Sequence, residues 1–96
     1  MLQKVYVAGK FNDTNMLHNM QIISQFGFII THNWTQHLGE DMNLASYNDI
    51  EGVKKCEVLI AIMDDPKYEY RGTFTEIGCA LGLDKKISII TLILNM

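Results

Sequence analysis

Four short, nearly continuous apolar runs alternate along this chain with three stretches whose apolar residues recur at three- and four-residue steps, and few folds accommodate that alternation. Lys4 to Ala8 is a β-branched and aromatic run closed by Gly9, the pattern of a buried strand that ends in a tight turn. Asn12 or Asp13 can cap a helix that carries Met16, Leu17, Met20, Ile23 and Phe26 along one side, with Gly27 as its stop. Phe28 to Thr31 reads as a second strand and His32 to Leu44 as a polar loop without period. Ala45 to Lys55 reads as a second helix, with Ala45, Asp49, Gly52, Val53 and Cys56 on a common side. Val58 to Ile62 is a third strand. Met63 to Arg71 holds Pro66, the chain's only proline, among packed charges, and reads either as a cover over a site or as a solvated loop. Thr73 to Leu83 has helical spacing in Phe74, Ile77 and Leu81, and Ile87 to Leu94 is a last apolar strand.

Hydrophobic strands separated by helices belong to a parallel sheet whose two faces are both covered, so the expected class is α/β: a three-layer sandwich with a four-stranded parallel sheet. Right-handed crossovers give the strand order 2-1-3-4 and put the topological switch between strands one and three. Ligands of such sheets sit at the carboxyl ends of the strands beside the switch. The expected site therefore lies between Gly9 to Asn12 and Asp64 to Arg71, closed by the start of the third helix.

Length and composition narrow the function. Ninety-six residues at 11.0 kDa are expected to form one domain, residues 1–96. A hydrophobic share of 48% with 20% charged residues is that of a packed globule and excludes a disordered chain. Eight basic against eleven acidic residues leave a net charge of −3, which argues against a nucleic acid polymer as partner. Cys56 and Cys79 lack Cys-x-x-Cys spacing and the three histidines are scattered, so neither a disulfide framework nor a structural zinc site is expected. The N-terminus runs into a strand pattern without a signal-peptide core, and no apolar run approaches the ~20 residues of a membrane span. The expectation is a soluble, cytoplasmic protein with no membrane partner.

Several residues near the switch could carry chemistry. Glu76 falls in the first turn of the expected third helix, where the helix dipole favours an ionised carboxylate able to attack an electrophilic sugar carbon. The same spacing, Thr73-x-x-Glu76, is also that of a capping box. Asp49, near the start of the expected second helix, is either a dipole complement or an acid/base partner of Glu76. Tyr6 is either strand packing or a hydroxyl that reaches the site and orients a carboxylate. Trp34 either covers the core edge or stacks on a planar ligand. Arg71 and Lys10 could hold an anion, the latter near the first helix terminus, although a loop arginine more often meets a surface charge. His18 and His37 read as surface residues, and Cys79 as core rather than nucleophile.

Tyr6-Val7-Ala8-Gly9, Asp49-Ile50-Glu51-Gly52-Val53 with Cys56-Glu57-Val58-Leu59-Ile60, and Gly72-Thr73-Phe74-Thr75-Glu76-Ile77-Gly78-Cys79-Ala80-Leu81-Gly82 together resemble the nucleoside 2-deoxyribosyltransferase family over nearly the whole chain. The resemblance implies a flavodoxin-like fold with Glu76 as the nucleophile toward C1′ of a 2-deoxyribosyl group, Asp49 in proton transfer at the nucleobase, and Tyr6 positioning the nucleophile. It implies a covalent deoxyribosyl-enzyme that a second base or water resolves with net retention. The substrate would be a deoxynucleoside or deoxynucleotide with a free nucleobase as partner, and no metal or organic cofactor is implied. Gly9, Lys10, Phe11, Trp34, Tyr70, Arg71 and Gly72 are the expected substrate-binding residues, with Trp34 stacking on the base. Two positions depart from the family pattern. Tyr70 stands six residues before Glu76, where the family has Asp or Ser. The family also borrows an asparagine from a neighbouring subunit's C-terminal segment, whereas this chain ends at Met96 soon after the fourth strand, and Asn95 is no obvious replacement. The apolar run Ile87 to Leu94 at a sheet edge points to a homo-oligomer. Transfer is preferred to hydrolysis of a 2′-deoxynucleoside 5′-monophosphate, and a nucleotide-binding module without chemistry is the rival from another class.

Overall fold

The computed structural model describes residues 2–11, 13–37, 39 and 41–91. Its elements are β1 (Lys4–Ala8), α1 (Thr14–Gln25), β2 (Ile29–Ile30), a 3-10 turn (Trp34–Gln36), α2 (Met42–Lys55), β3 (Val58–Ile62), α3 (Arg71–Gly82) and β4 (Lys86–Ile90). The four strands form one parallel sheet in the order β2-β1-β3-β4, as the alternation of periods requires. Tyr6 lies opposite Leu59, Val7 opposite Ile60 and Ala8 opposite Ala61, so successive residues of the two central strands face opposite sides together.

Each face has its own core. Tyr6, Ala8, Leu59 and Ala61 meet Val53 and Cys56 from α2 and its end, and Ala80 from α3. On the other face Val5, Val7 and Ile62 meet Met16 and Met20 of α1. The helices thus cover both sides of a flavodoxin-like sheet. No helix among the described residues is long and apolar enough to cross a membrane.

The element ends differ from the sequence expectation for local reasons. Asp13 caps α1, its carboxylate accepting from the Asn15 N–H at 3.1 Å; Asn12, the alternative cap, lies outside the described residues. Leu17 and Phe26, expected on the buried side, are 42% and 79% exposed: the stripe is Met16, Met20 and Ile23, and Phe26 is the cap residue beyond the last turn. Gly27 does stop the helix, at φ 92°. The second helix begins at Met42 rather than Ala45, because the Asp41 carboxylate accepts from the Leu44 N–H and closes the first turn. The third begins at Arg71 rather than Thr73, after Tyr70 in the left-handed region at φ 55°, ψ 38°. The fourth strand is Lys86–Ile90, and residues 92–94 of the expected run lie outside the described residues, as does Asn95.

Candidate active site

The carboxyl ends of β1 and β3 flank the switch, and α3 is tethered there by one bond. The buried Thr73 donates its hydroxyl to the Gly9 carbonyl at 3.1 Å, fixing the first turn of α3 against the end of β1. Glu76, one turn further along the same helix side, then meets Tyr6, whose hydroxyl donates to Glu76 Oε2 at 2.7 Å. The Thr73-x-x-Glu76 capping box therefore does not form, since both side chains bond across to β1 and its following loop. Glu76 also lies in the second turn rather than the first.

The electrostatics follow from that position. Burial lifts the Glu76 carboxyl to about 7, the Asp49 charge adding to the rise and the Tyr6 hydrogen bond opposing it. The expectation that the helix dipole would hold Glu76 ionised is thus corrected: this far into the helix, desolvation outweighs the dipole. The Tyr6 phenol is pushed well above its ordinary value by burial and by the neighbouring Glu76 and Asp49 carboxyls, so it keeps its proton and acts as a donor. Its ring is fully buried in the core while its hydroxyl donates to the Glu76 carboxyl.

Asp49 projects from the third turn of α2, too far from the start to complement the dipole. His32 Nε2, just past β2, lies 3.6 Å from Asp49 Oδ1. Two features bring them together. Thr31 donates its hydroxyl to the Gly52 carbonyl at 2.6 Å, tying the end of β2 to α2. At Gly52 a Cβ would stand 2.8 Å from His32 Cβ and 2.9 Å from Tyr6 Cδ2, so the close approach of strand and helix needs glycine. Trp34 is held by its indole N–H, which donates to the Val7 carbonyl at 2.8 Å, and its ring packs against both cores.

These side chains border two adjoining cavities. One of about 180 Å³ is lined by Gly9, Phe11, Trp34, Asp49, Tyr68, Gly72, Thr73 and Glu76. The other, about 210 Å³, is lined by Phe11, His32, Trp34, His37, Met42, Ala45 and Asp49. Phe11, Trp34 and Asp49 form the shared wall.

Three expected binding residues fall outside both linings. Lys10 pairs with Asp65 at 2.9 Å and sits 5.5 Å over the Tyr68 ring. Arg71 is 86% exposed in its side chain and pairs with Glu69 at 2.6 Å. Tyr70 is buried, its hydroxyl accepting from the Asp65 N–H at 2.9 Å, so it shapes the loop before α3 instead of facing a ligand. In each case a carboxylate or amide of the β3–α3 loop is the nearer partner. Sequence reasoning missed His32 and Tyr68 as lining residues and the tethering role of Thr73. The signal for His32 was its place directly after the second strand, the neighbour of β1 on the side away from the switch.

No family model matches the chain, and no curated protein matches it. Among solved structures it is similar to a 2-desoxiribosyltransferase from Leishmania mexicana, at 18% identity and a TM-score of 0.68, over 93% of this chain and 64% of that one. At that identity the likeness is one of fold, and the chain spans less than two-thirds of the matched protein.

Proposed function

We propose that this protein cleaves the N-glycosidic bond of 2′-deoxynucleosides and transfers the sugar to a second nucleobase. The observation that carries this reading is the Glu76 carboxyl, held at 2.7 Å by the Tyr6 hydroxyl on the wall of a cavity that Asp49 also lines. Glu76 as carboxylate attacks C1′; Asp49 gives a proton to the departing base, whose bonding electrons leave with it; a covalent deoxyribosyl-Glu76 remains. A second base attacks C1′, returns a proton to Asp49 and frees Glu76, with net retention. A sugar without a 2′-hydroxyl suits this route because the oxocarbenium-like transition state is reached more easily. The sugar belongs in the cavity of Glu76 and the planar base beyond the shared wall, between Phe11 and Trp34.

A neutral deoxynucleoside fits better than its 5′-monophosphate. The cavity carries two carboxyls, while Lys10 and Arg71 are paired with Asp65 and Glu69 away from it. The similar fold of a solved 2-desoxiribosyltransferase supports transfer over a bare binding module. The same reading includes a homo-oligomer, because Ile89 and Ile90 of the edge strand β4 are 55% and 50% exposed.

The test is incubation with deoxyadenosine or deoxyinosine, with and without a free acceptor base. Base exchange is the expected result, and intact-protein mass spectrometry should find a sugar-sized adduct that Glu76→Gln abolishes. Free deoxyribose without exchange would mean hydrolysis. Neither product, and no adduct, would refute the reading.

A further inference from the structure

A general acid for the departing base faces a mismatch. An ordinary carboxyl group has lost its proton above pH ~4, yet Glu76 must be ionised to attack, which its burial delays to about 7. A carboxyl that is to act as acid while its neighbour acts as carboxylate needs a second group to supply its proton. The side chain that alters this is on the far side of Asp49. His32 Nε2 stands 3.6 Å from Asp49 Oδ1, at ion-pair range, with the two side chains 16% and 27% exposed. Imidazole is the group that holds or releases a proton near neutrality.

We propose that His32 is the positioning residue of Asp49 and the store of its proton, so that the pair, rather than Asp49 alone, is the acid for the leaving base. This rests on the reading above and deepens it. In the step, the proton on His32 Nε2 passes to Asp49, and the Asp49 proton passes to a ring nitrogen of the base as the C1′–N bond breaks. The electrons of that bond leave with the base, Glu76 oxygen bonds to C1′, and His32 is left neutral. Attack by the acceptor base sends its N–H proton back through Asp49 to His32.

The surroundings support a fixed imidazole. His37 stacks on His32 with ring centroids 5.3 Å apart and planes 19° from parallel. Thr31 anchors the preceding residue to α2, and Gly52 leaves room for the His32 Cβ. Among the described residues, the titratable groups facing His32 are Asp49 from α2 and His37 from the end of the 3-10 turn. Tyr6 from β1 approaches through the same Gly52 gap, and Glu76 of α3 lies behind its hydroxyl. His32 and Asp49 also line the second cavity together, where the base is drawn in the reading above.

The test compares two substrates in the same variant: deoxyadenosine, whose base needs a proton to leave, and 7-methyl-2′-deoxyguanosine, whose cationic base departs without one. In His32→Gln the ratio of kcat for deoxyadenosine to kcat for the methylated substrate should fall at least ~10-fold, since general acids contribute 10²–10⁴. KM should change little. The double variant with Asp49→Asn should be no slower on deoxyadenosine than Asp49→Asn alone, because the two act as one unit. His32→Asn repeats the test with a second amide should the glutamine variant not fold. Equal losses on both substrates, or losses that multiply in the double variant, overturn the proposal. A wild-type protein that turns over neither substrate instead overturns the proposed function, and this inference with it.

Discussion

Glu76→Gln should stabilise the protein, and only above the acid range. In the folded chain the Glu76 carboxyl keeps its proton to about 7, whereas in the unfolded chain it is released near its ordinary 4.5. Below 4.5 the group is protonated in both states and its contribution to stability is fully present. As pH rises through about 7 that contribution is lost, because the folded state must then bury a charge. At ~1.4 kcal/mol per tenfold difference in proton affinity, the full span is about 3 kcal/mol, and a carboxyl that borders a cavity retains about 2 of it. Glutamine carries no such charge, and its amide oxygen still accepts from the Tyr6 hydroxyl. The wild type and Glu76→Gln should therefore melt together near pH 4 and separate by roughly 10 °C near pH 8, taking ~4–8 °C per kcal/mol for a domain of this size. Thermal unfolding followed by circular dichroism across that range decides it. A gap that is constant with pH, or a variant less stable than the wild type at pH 8, would refute the assignment of Glu76 as a half-buried, desolvated acid. The gain should coincide with loss of the sugar adduct, the usual exchange of stability for function at a desolvated charged site.

Tyr6→Phe removes the influence that lowers the Glu76 carboxyl, so the acid limb of kcat/KM, expected near 7, should move to higher pH, with activity at neutrality down about tenfold; an unmoved limb would sink the positioning role. Gly52→Ala should cost ~1–3 kcal/mol by denaturant unfolding, since the new Cβ meets the His32 Cβ and the Tyr6 ring. Gly9→Ala should cost less, because the nearest atoms to its Cβ are the pliable thioether end of Met16, although the Ile62 carbonyl stands at 3.2 Å. An inverted order would contradict the packing described. Trp34→Phe leaves the Val7 carbonyl without its indole donor, at ~1 kcal/mol of stability, and should raise KM for deoxynucleosides more than it lowers kcat. Lys10→Met should leave the rates on deoxyadenosine and its 5′-monophosphate in the same ratio within about twofold, as a half-buried ion pair outside both cavities predicts. Selective loss of the monophosphate would instead make Lys10 a phosphate ligand.

The parallel sheet and its order were legible before any coordinates because side-chain period is local: contiguous apolar runs bury both faces, and the crossover rule leaves one hand for each connection. For the same reason Gly9, Phe11, Gly72 and Glu76 could be assigned to one end of the sheet, whereas the nearness of Asp49 to Glu76 could not be read from spacing. Element ends were less legible. Asp13 was read as a cap, but Asp41 was not, because it lies in a polar stretch without period, and the start of α3 at Arg71 depends on Tyr70 adopting a left-handed conformation that its side chain does not favour.

What the chain alone determined is the layer architecture and the cluster of polar residues at the switch. What only the folded molecule decided is which of those residues meet. Thr73 could cap its own helix or reach across to Gly9, and Lys10 and Arg71 could hold a ligand or a neighbouring carboxylate. Tertiary distance settled both, since the Gly9 carbonyl, Asp65 and Glu69 lie within reach. The protonation of Glu76 likewise depends on how much water the surrounding elements exclude, which no spacing along the sequence encodes. His32 meets Asp49 only because two segments distant in sequence close over a glycine, and that contact exists nowhere short of the assembled fold.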